Sequence, residues 1–217
     1  MIHALPGMGA DRRMYPAPWA DLCDFVAHDW PRHAAEQTLA DVARSLCEIH
    51  GIRDGDAVIG TSLGGMVACE ITKIRRIRAL YLIASAIDKA EVSTVLATLH
   101  PLARFAPLGL IRSSAGKVPL ELTQMFSGVE VSFVRAMCEA IFQWEGLGAP
   151  QTRVFRIHGR SDHVIPAPPQ VDLLLDGGHL ISMTHARECV AFIRANQTPE
   201  PTPMSVTPPA AQEPRQP

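Results

Sequence analysis

The segment Gly60-Thr61-Ser62-Leu63-Gly64 holds the serine whose setting is best suited to chemistry. It follows a short apolar run and precedes a helical pattern, so Ser62 would stand on a sharp strand-to-helix turn. Such a turn strains the serine backbone and lifts its Oγ clear of the sheet edge. Side chains two residues before and after the serine would collide there, and both positions are glycine. The segment predicts a nucleophile elbow. The competing interpretation, a nucleotide-binding turn, is disfavoured because its glycine signatures are missing at this turn.

A serine hydroxyl is a poor nucleophile at neutral pH and needs a base within hydrogen-bond reach. His179, in the segment Asp176-Gly177-Gly178-His179, is the best candidate because it follows the last predicted strand and precedes the last predicted helix. The other candidates are favoured as structural residues or adjoin the proposed acid: His3, His28, His158, His185 and His163. We therefore expect His179 to act as the general base.

A carboxylate should fix the tautomer of that imidazole and stabilise the imidazolium. Asp162 lies on the loop after the fifth predicted strand, within the segment HGRSDHVIP. Asp88, after the fourth predicted strand, is the rival, because a carboxylate there could also reach the site. Asp176 is less favoured because it stands at its own strand end. We predict that Asp162 orients His179.

Acyl transfer also needs backbone N–H groups that face the developing oxyanion. The N–H of Leu63, at the start of the elbow helix, is one candidate. Met8 supplies the other, within the loop Pro6-Gly7-Met8-Gly9 that follows the first predicted strand. The alternative is that this glycine-rich loop is only a turn.

Short apolar runs alternate with helical patterns along the chain, which is typical of a parallel sheet covered by helices. Each run is bounded by Gly, Pro or Asp, as buried parallel strands tend to be. The pattern predicts an α/β fold with a mostly parallel sheet of about six strands. The predicted strands are Ile2–Leu5, Phe25–His28, Ala57–Gly60, Ala79–Ala84, Arg153–Ile157 and Val171–Leu175.

Helical periodicity predicts three helices around this sheet. The first follows a capping box at Thr38 and Asp41, and the second runs from about Leu63 to Lys73. The third follows His179. The inward residues predicted for the first helix are Leu39, Val42, Ala43, Leu46 and Ile49, and for the third Ile181, His185, Cys189, Phe192 and Ile193.

Two stretches break the alternation. Residues 87–150 show helical patterns, such as Val131-x-x-Val134-x-x-Met137-Cys138-x-x-Ile141-Phe142, and predict a helical lid inserted in a domain spanning residues 1–196. Residues 197–217 are rich in Pro, Thr, Gln and Glu and predict a disordered tail. The apolar lid residues that could line an acyl pocket are Leu96, Leu99, Phe105, Leu108, Met125, Phe126, Phe133, Phe142 and Trp144.

Composition sets limits on partners and location. A formal net charge of -2 disfavours nucleic acid or an acidic membrane surface as the main partner. The basic segment Lys73–Arg78 is explained by its place at a helix end. The five cysteines form no C-x-x-C pair, and there is neither a signal-peptide pattern nor an apolar run of membrane-spanning length. We expect a cytoplasmic protein with reduced thiols, no membrane span and no metal or organic cofactor.

Four segments together resemble the α/β-hydrolase superfamily, in particular its small bacterial esterase-like members in the carboxylesterase and lipase group. They are LPGMGAD (Leu5–Asp11), GTSLGG (Gly60–Gly65), HGRSDHVIP (His158–Pro166) and GGHLISMTHA (Gly177–Ala186). The resemblance spans residues 1 to about 195 and implies an α/β-hydrolase fold. It assigns Ser62, Asp162 and His179 to a catalytic triad and Met8 and Leu63 to an oxyanion hole.

The chain departs from the usual pattern of this superfamily in three ways. It opens directly on the strand before the oxyanion loop, without two preceding antiparallel strands. Pro6 stands where histidine is usual. Only 17 residues separate Asp162 from His179, which is too few for the usual helix plus strand.

The function implied is hydrolysis of a carboxylic ester, with a small or medium apolar acyl group, through an acyl-enzyme. Two alternatives stay open at this point. The same triad could hydrolyse a thioester or a C–C bond, or the protein could be a non-catalytic binding module that kept the fold. Oligomeric state is not predicted.

Overall fold

A computed structural model of the chain describes residues 1–92 and 130–197. Six parallel strands form one sheet in the order β2-β1-β3-β4-β5-β6. The strands are β1 Ile2–Leu5, β2 Phe25–Ala27, β3 Ala57–Thr61, β4 Ala79–Ile83, β5 Arg153–Gly159 and β6 Leu173–Leu175. Strands β1, β3 and β4 are buried along their whole length, as expected for a sheet covered on both faces. The predicted parallel sheet of six strands is confirmed.

Helices and short 3-10 turns cover the two faces. The helices are α1 Leu39–His50, α2 Leu63–Ile74, α3 Val131–Gln143, α4 Ile181–Thr184 and α5 Ala186–Ala195, and the 3-10 turns are Arg12–Met14, Ala17–Asp21 and Lys89–Glu91. One core cluster packs α1, α2 and α3 on one face of the sheet. A second cluster packs α4, α5 and the first two turns on the opposite face.

Helix α1 begins as predicted, but one residue near its end, Ile49, does not face inward as predicted. Thr38 Oγ1 accepts a hydrogen bond from Asp41 N, and Asp41 Oδ2 accepts one from Thr38 N, which completes the capping box. The predicted inward residues are buried except Ile49, whose exposed fraction is 58%. At 100° per residue, Ile49 lies roughly 90° from the centre of the buried stripe, and Cys47 takes the inward position in that turn.

The last helical segment is two helices, which corrects the prediction of one. His185, expected on an inward face, ends α4 and precedes α5 with φ -126° and ψ 36°. This backbone conformation is not helical, so the chain changes direction there. Cys189 and Ile193 face inward as predicted, and Phe192 is half-buried.

Helix α3 lies where the sequence shows a helical pattern within residues 87–150, although it buries a different face. Its buried residues are Phe133, Ala136, Met137, Ala140 and Ile141. Val131 and Phe142, both expected on the apolar face, are exposed by 65% and 38%. The ring of Phe133 lies against that of Trp30, which belongs to the loop after β2.

The remaining predictions for the lid and tail fall mainly outside the described residues. This applies to Leu96, Leu99, Phe105, Leu108, Met125 and Phe126 and to the tail beyond residue 197. Trp144 is buried and donates a hydrogen bond through its indole N–H to Glu70 Oε1 at 2.7 Å. That contact ties the segment after α3 to helix α2.

None of the helices within residues 1–92 and 130–197 is long and apolar enough to cross a membrane. All five cysteines are free thiols, and Cys47, Cys69 and Cys189 are buried on helix faces. Burial raises the pKa of the Cys69 and Cys189 thiols to about 12.

Three histidines form a buried cluster near one edge of the sheet. His28 Nε2 and His3 Nδ1 are hydrogen-bonded at 2.9 Å, and His3 Nε2 lies 3.3 Å from Asp56 Oδ2. The rings of His28 and His50 stack with centroids 3.9 Å apart. Burial lowers the pKa of all three histidines, and that of His28 falls to about 3. Burial therefore disfavours the charged form of each histidine, most strongly for His28.

We predict that acid destabilises the protein through this cluster. The unfolded chain protonates His28 below about pH 6.5, whereas burial lowers the pKa of His28 in the folded chain to about 3. The contribution of His28 to the free energy of unfolding is therefore fully present above about pH 6.5. It is lost as the pH falls toward 3, by about 1 kcal/mol per pH unit.

The test is urea unfolding between pH 7.5 and 4.5. His28→Gln keeps an N–H donor for His3 but does not titrate, so its unfolding free energy should fall less steeply than that of the wild type. Parallel pH dependences in the two proteins would show that His28 does not contribute.

Candidate active site

Ser62 lies between β3 and α2 in the strained conformation that the sequence predicts. Its φ of 53° and ψ of -121° are unfavourable for a residue with a Cβ. A Cβ on Gly60 would lie 2.4 Å from Gly64 O, and one on Gly64 would lie 2.4 Å from Leu5 O. The expected collision at both glycines is confirmed, because no side chain fits at these distances.

Ser85, just after β4, braces the backbone of the serine. Its Oγ–H donates to Ser62 O at 2.7 Å, and Ser62 N donates to Ile83 O at 3.0 Å. The Ser85 carbonyl in turn accepts a hydrogen bond from Nε2 of buried His158 at 2.9 Å. Burial lowers the pKa of His158 and disfavours its charged form.

The structure brings Ser62, His179 and Asp162 together. The Oγ of Ser62 and Nε2 of His179 are 3.0 Å apart, and His179 Nδ1 lies 2.8 Å from Asp162 Oδ2. A carboxylate can only accept, so Nδ1 carries the hydrogen and Nε2 is left to accept the serine proton. Asp162 and His179 are buried, whereas Ser62 is partly exposed. The arrangement leaves the serine oxygen reachable and its partners shielded from water.

The aspartate is fixed before any substrate arrives. Asp162 Oδ1 accepts hydrogen bonds from the backbone N–H groups of Val164 and Ile165 at 2.9 and 3.0 Å. These contacts orient the other oxygen, Oδ2, toward the histidine.

The loops that carry Asp162 and His179 are joined directly by their backbones. Ser161 N donates to Gly177 O at 2.9 Å, and Arg160 N donates to Leu175 O at 2.8 Å. A Cβ on Gly159 would lie 2.4 Å from the carbonyl oxygens of Gly177 and Gly178. The short interval of 17 residues suffices because it contains β6 and no α-helix.

The rival residues lie elsewhere. Asp88 caps the 3-10 turn Lys89–Glu91 and accepts a hydrogen bond from Ala90 N at 2.8 Å. Asp176 and His163 are exposed, and His185 Nδ1 lies 2.8 Å from Thr184 Oγ1. The chosen carboxylate, Asp162, is the one that contacts His179.

The proposed oxyanion loop lies against the elbow. A Cβ on Gly7 would be 3.5 Å from Ser62 Cβ, so this loop borders the serine side chain. Within the described residues, the N–H groups of Met8 and Leu63 are not used in any backbone or side-chain hydrogen bond. Neither predicted donor is therefore occupied by a partner among the described residues.

Three residues that hold this loop were not identified from the sequence. Trp30 donates through its indole N–H to Gly7 O at 2.9 Å, and Tyr15 donates through its hydroxyl to Leu5 O at 2.5 Å. Met14 Sδ accepts from Gly7 N at 3.2 Å. The one available signal was the position of Trp30 just beyond β2, because residues that follow parallel strands gather at one sheet edge.

Metal ligands do not gather in the described part of the chain. Within residues 1–92 and 130–197, no group of three or more His, Cys, Asp or Glu is arranged to hold a metal ion.

A model of the alpha/beta hydrolase family matches residues 2–192 of this chain. A search among curated proteins found no match. The solved structures similar to this chain include a hydrolase from Oleispira antarctica, with a TM-score of 0.70, 16% identity and 90% of each chain covered.

Two further similar structures carry more specific names. An enol-lactonase from Burkholderia xenovorans LB400 has a TM-score of 0.71 at 18% identity, with 89% of each chain covered. A thermophilic esterase from Thermogutta terrifontis has a TM-score of 0.59 at 18% identity, covering 89% of this chain and 88% of that one. At these identities the similarity establishes a shared fold.

The glycine contacts at the elbow predict a large difference between two alanine substitutions. Gly64→Ala places a Cβ against backbone carbonyls that cannot move aside, and should lower the free energy of unfolding by about 2 kcal/mol or more. Gly7→Ala meets its neighbours at 3.4 Å or more and should cost less than about 1 kcal/mol. Urea unfolding of both variants measures this difference, and equal losses would contradict the close approach at Gly64.

Proposed function

Because the chain belongs to the alpha/beta hydrolase family, we propose that it is a serine hydrolase that cleaves a carboxylic ester through an acyl-enzyme. The observation that carries this proposal is the hydrogen-bonded series from Ser62 Oγ through His179 to Asp162. A buried carboxylate, a histidine in one fixed tautomer and a partly exposed serine are the parts that acyl transfer requires.

In the first half of the reaction, Ser62 Oγ attacks the carbonyl carbon of the ester and its proton passes to His179 Nε2. The carbonyl oxygen becomes an oxyanion, which the N–H groups of Met8 and Leu63 would stabilise. The intermediate then collapses and the bond to the alcohol oxygen breaks. His179 gives its proton to that oxygen, and the alcohol leaves the acyl-enzyme.

In the second half, water attacks the acyl carbon while His179 Nε2 takes one of its protons. Collapse of this second intermediate breaks the bond to Ser62 Oγ, which recovers the proton from His179. The acid is released and the free serine is restored. Asp162 stabilises the imidazolium in both halves and stays ionised.

An apolar acyl group suits the surroundings of the oxyanion loop. Met8 and Trp30 pack against the same core cluster as Phe133 of α3, and Cys138 of α3 contacts Met8 through sulfur at 3.9 Å. These contacts support the proposal that the 87–150 insertion is a lid covering the acyl site. The names of the similar structures, an esterase and an enol-lactonase, accord with an ester substrate.

The same residues would serve a thioester or an activated C–C bond, so the leaving group distinguishes these reactions. Esters, thioesters and β-diketones with a matched butyryl group provide the comparison. A cytoplasmic location stays a prediction, supported by the five free thiols.

Ser62 should be the sole covalent nucleophile. A fluorophosphonate probe should label the wild type and fail to label Ser62→Ala, because the elbow places a single activated hydroxyl beside His179. Gel fluorescence and peptide mapping give the readout. Equal labelling of the two proteins would remove the basis of the proposed function.

Asp162 should support catalysis while Asp88 does not. Asp162→Asn should lower kcat by up to about 10⁴-fold, because the amide can donate and favours the wrong imidazole tautomer. Asp88→Asn is the matched control and should leave kcat within about twofold of the wild type, since it caps a distant turn. Ester hydrolysis and thermal unfolding are measured on both variants, and the reverse ranking would move the acid to Asp88.

A further inference from the structure

The indole of Trp30 contacts the peptide group that carries a proposed oxyanion donor. Its Nε1–H donates to Gly7 O at 2.9 Å. Gly7 O and Met8 N belong to the same peptide unit, so this side chain acts on the unit whose N–H would face the substrate. Within the described residues, the other hydrogen bond to Gly7 O comes from the backbone N–H of Ala10 at 3.1 Å.

The planarity of the peptide connects these two atoms. In a trans peptide the carbonyl oxygen and the amide hydrogen point in opposite directions, and rotation about the C–N bond is blocked. A donor that fixes the direction of Gly7 O therefore also fixes the direction of the Met8 N–H. Donation to the carbonyl further polarises the unit and makes the amide hydrogen a stronger donor.

Trp30 is itself held in place. Its ring lies 5.2 Å from the ring of Phe133 at an interplanar angle of 44°. Pro31 follows it and restricts its backbone to extended conformations. The contact with α3 joins the oxyanion loop to the helix that follows the undescribed part of the insertion.

We propose that Trp30 is a positioning residue for the oxyanion hole, which fixes and polarises the Met8 N–H through Gly7 O. This role rests on the proposed function, because it needs an oxyanion to form beside Ser62. Trp30 belongs neither to the triad nor to the predicted oxyanion donors. Pro6, which has no N–H, cannot donate a backbone hydrogen bond at the start of this loop.

A packing role alone would give different results from a positioning role. If Trp30 only filled space, its loss would lower the fraction of folded enzyme and leave kcat per active site unchanged. If Trp30 fixes the direction of the Met8 N–H, its loss would weaken binding of the transition state more than binding of the substrate. Rates must therefore be expressed per active site.

The first variant is Trp30→Phe, which keeps an aromatic ring and removes the N–H. The second carries β-(3-benzothienyl)alanine at position 30, which has the shape of tryptophan with sulfur in place of the N–H. Active sites are counted with a fluorophosphonate, and kcat and KM are measured with p-nitrophenyl butyrate. The inhibition constant of a trifluoromethyl ketone reports binding of an oxyanion, because the serine adduct of that ketone carries one.

We expect both variants to lose roughly tenfold in kcat per active site with KM changed less than about twofold. This loss is smaller than the 10²- to 10³-fold cost of deleting an oxyanion donor, because the Met8 N–H is loosened and still present. The inhibition constant of the ketone should rise by the same factor. Trp19→Phe is the matched control, because Trp19 also donates its indole N–H to a backbone carbonyl, Ser182 O, at 2.8 Å. Trp19→Phe should change kcat per active site and the inhibition constant of the ketone by less than about twofold.

An unchanged kcat and inhibition constant in the benzothienyl variant would overturn the role of Trp30 while the proposed function stands. A fall in kcat without a matching change for the ketone would overturn it as well. Failure of the proposed function gives a separate result. In that case the wild type hydrolyses the ester no faster than Ser62→Ala, and the role of Trp30 falls with it.

Discussion

The close approach of Gly64 to the carbonyl oxygens of Leu5 and Pro6 is the contact on which the candidate site depends. A Cβ there would lie 2.4 Å from both oxygens, so the start of α2 touches the end of β1 without intervening side chains. This contact brings the elbow serine beside the oxyanion loop. Ser62 has a positive φ of 53°, and this backbone strain costs about 1–3 kcal/mol. The hydrogen bonds that Ser62 N donates and that Ser85 Oγ donates to Ser62 O help to offset it.

On the other side of β3, a second close approach of backbone segments brings Asp162 and His179 to the serine. Strands β5 and β6 are parallel neighbours, so the loops after them leave the same sheet edge. The backbones of these loops bond directly at Ser161 and Gly177, and Gly159 has no room for a side chain. These backbone contacts bring the loops of Asp162 and His179 together, and the side-chain hydrogen bonds of Asp162 then fix its orientation.

The sequence was sufficient for the parts that depend on local rules. Glycine spacing predicted the elbow, and apolar runs predicted the six strands, because buried parallel strands need both faces apolar. Contacts between distant segments were not predictable in this way. Phe133 of α3 contacts the ring of Trp30, which is far away in the sequence, and the break at His185 has no Gly or Pro to signal it. Trp30, Tyr15 and Ser85 act through backbone carbonyls, which no sequence pattern marks.

Trapping the acyl-enzyme tests the central claim most directly. The wild type is mixed with p-nitrophenyl butyrate, quenched in acid within the first turnover, and its intact mass is measured before proteolytic mapping. We predict that the mass rises by one butyryl group and that the modified peptide contains Ser62. Turnover of the ester without any adduct, or with the acyl group on another residue such as Cys138, would contradict the assignment of Ser62 as the nucleophile.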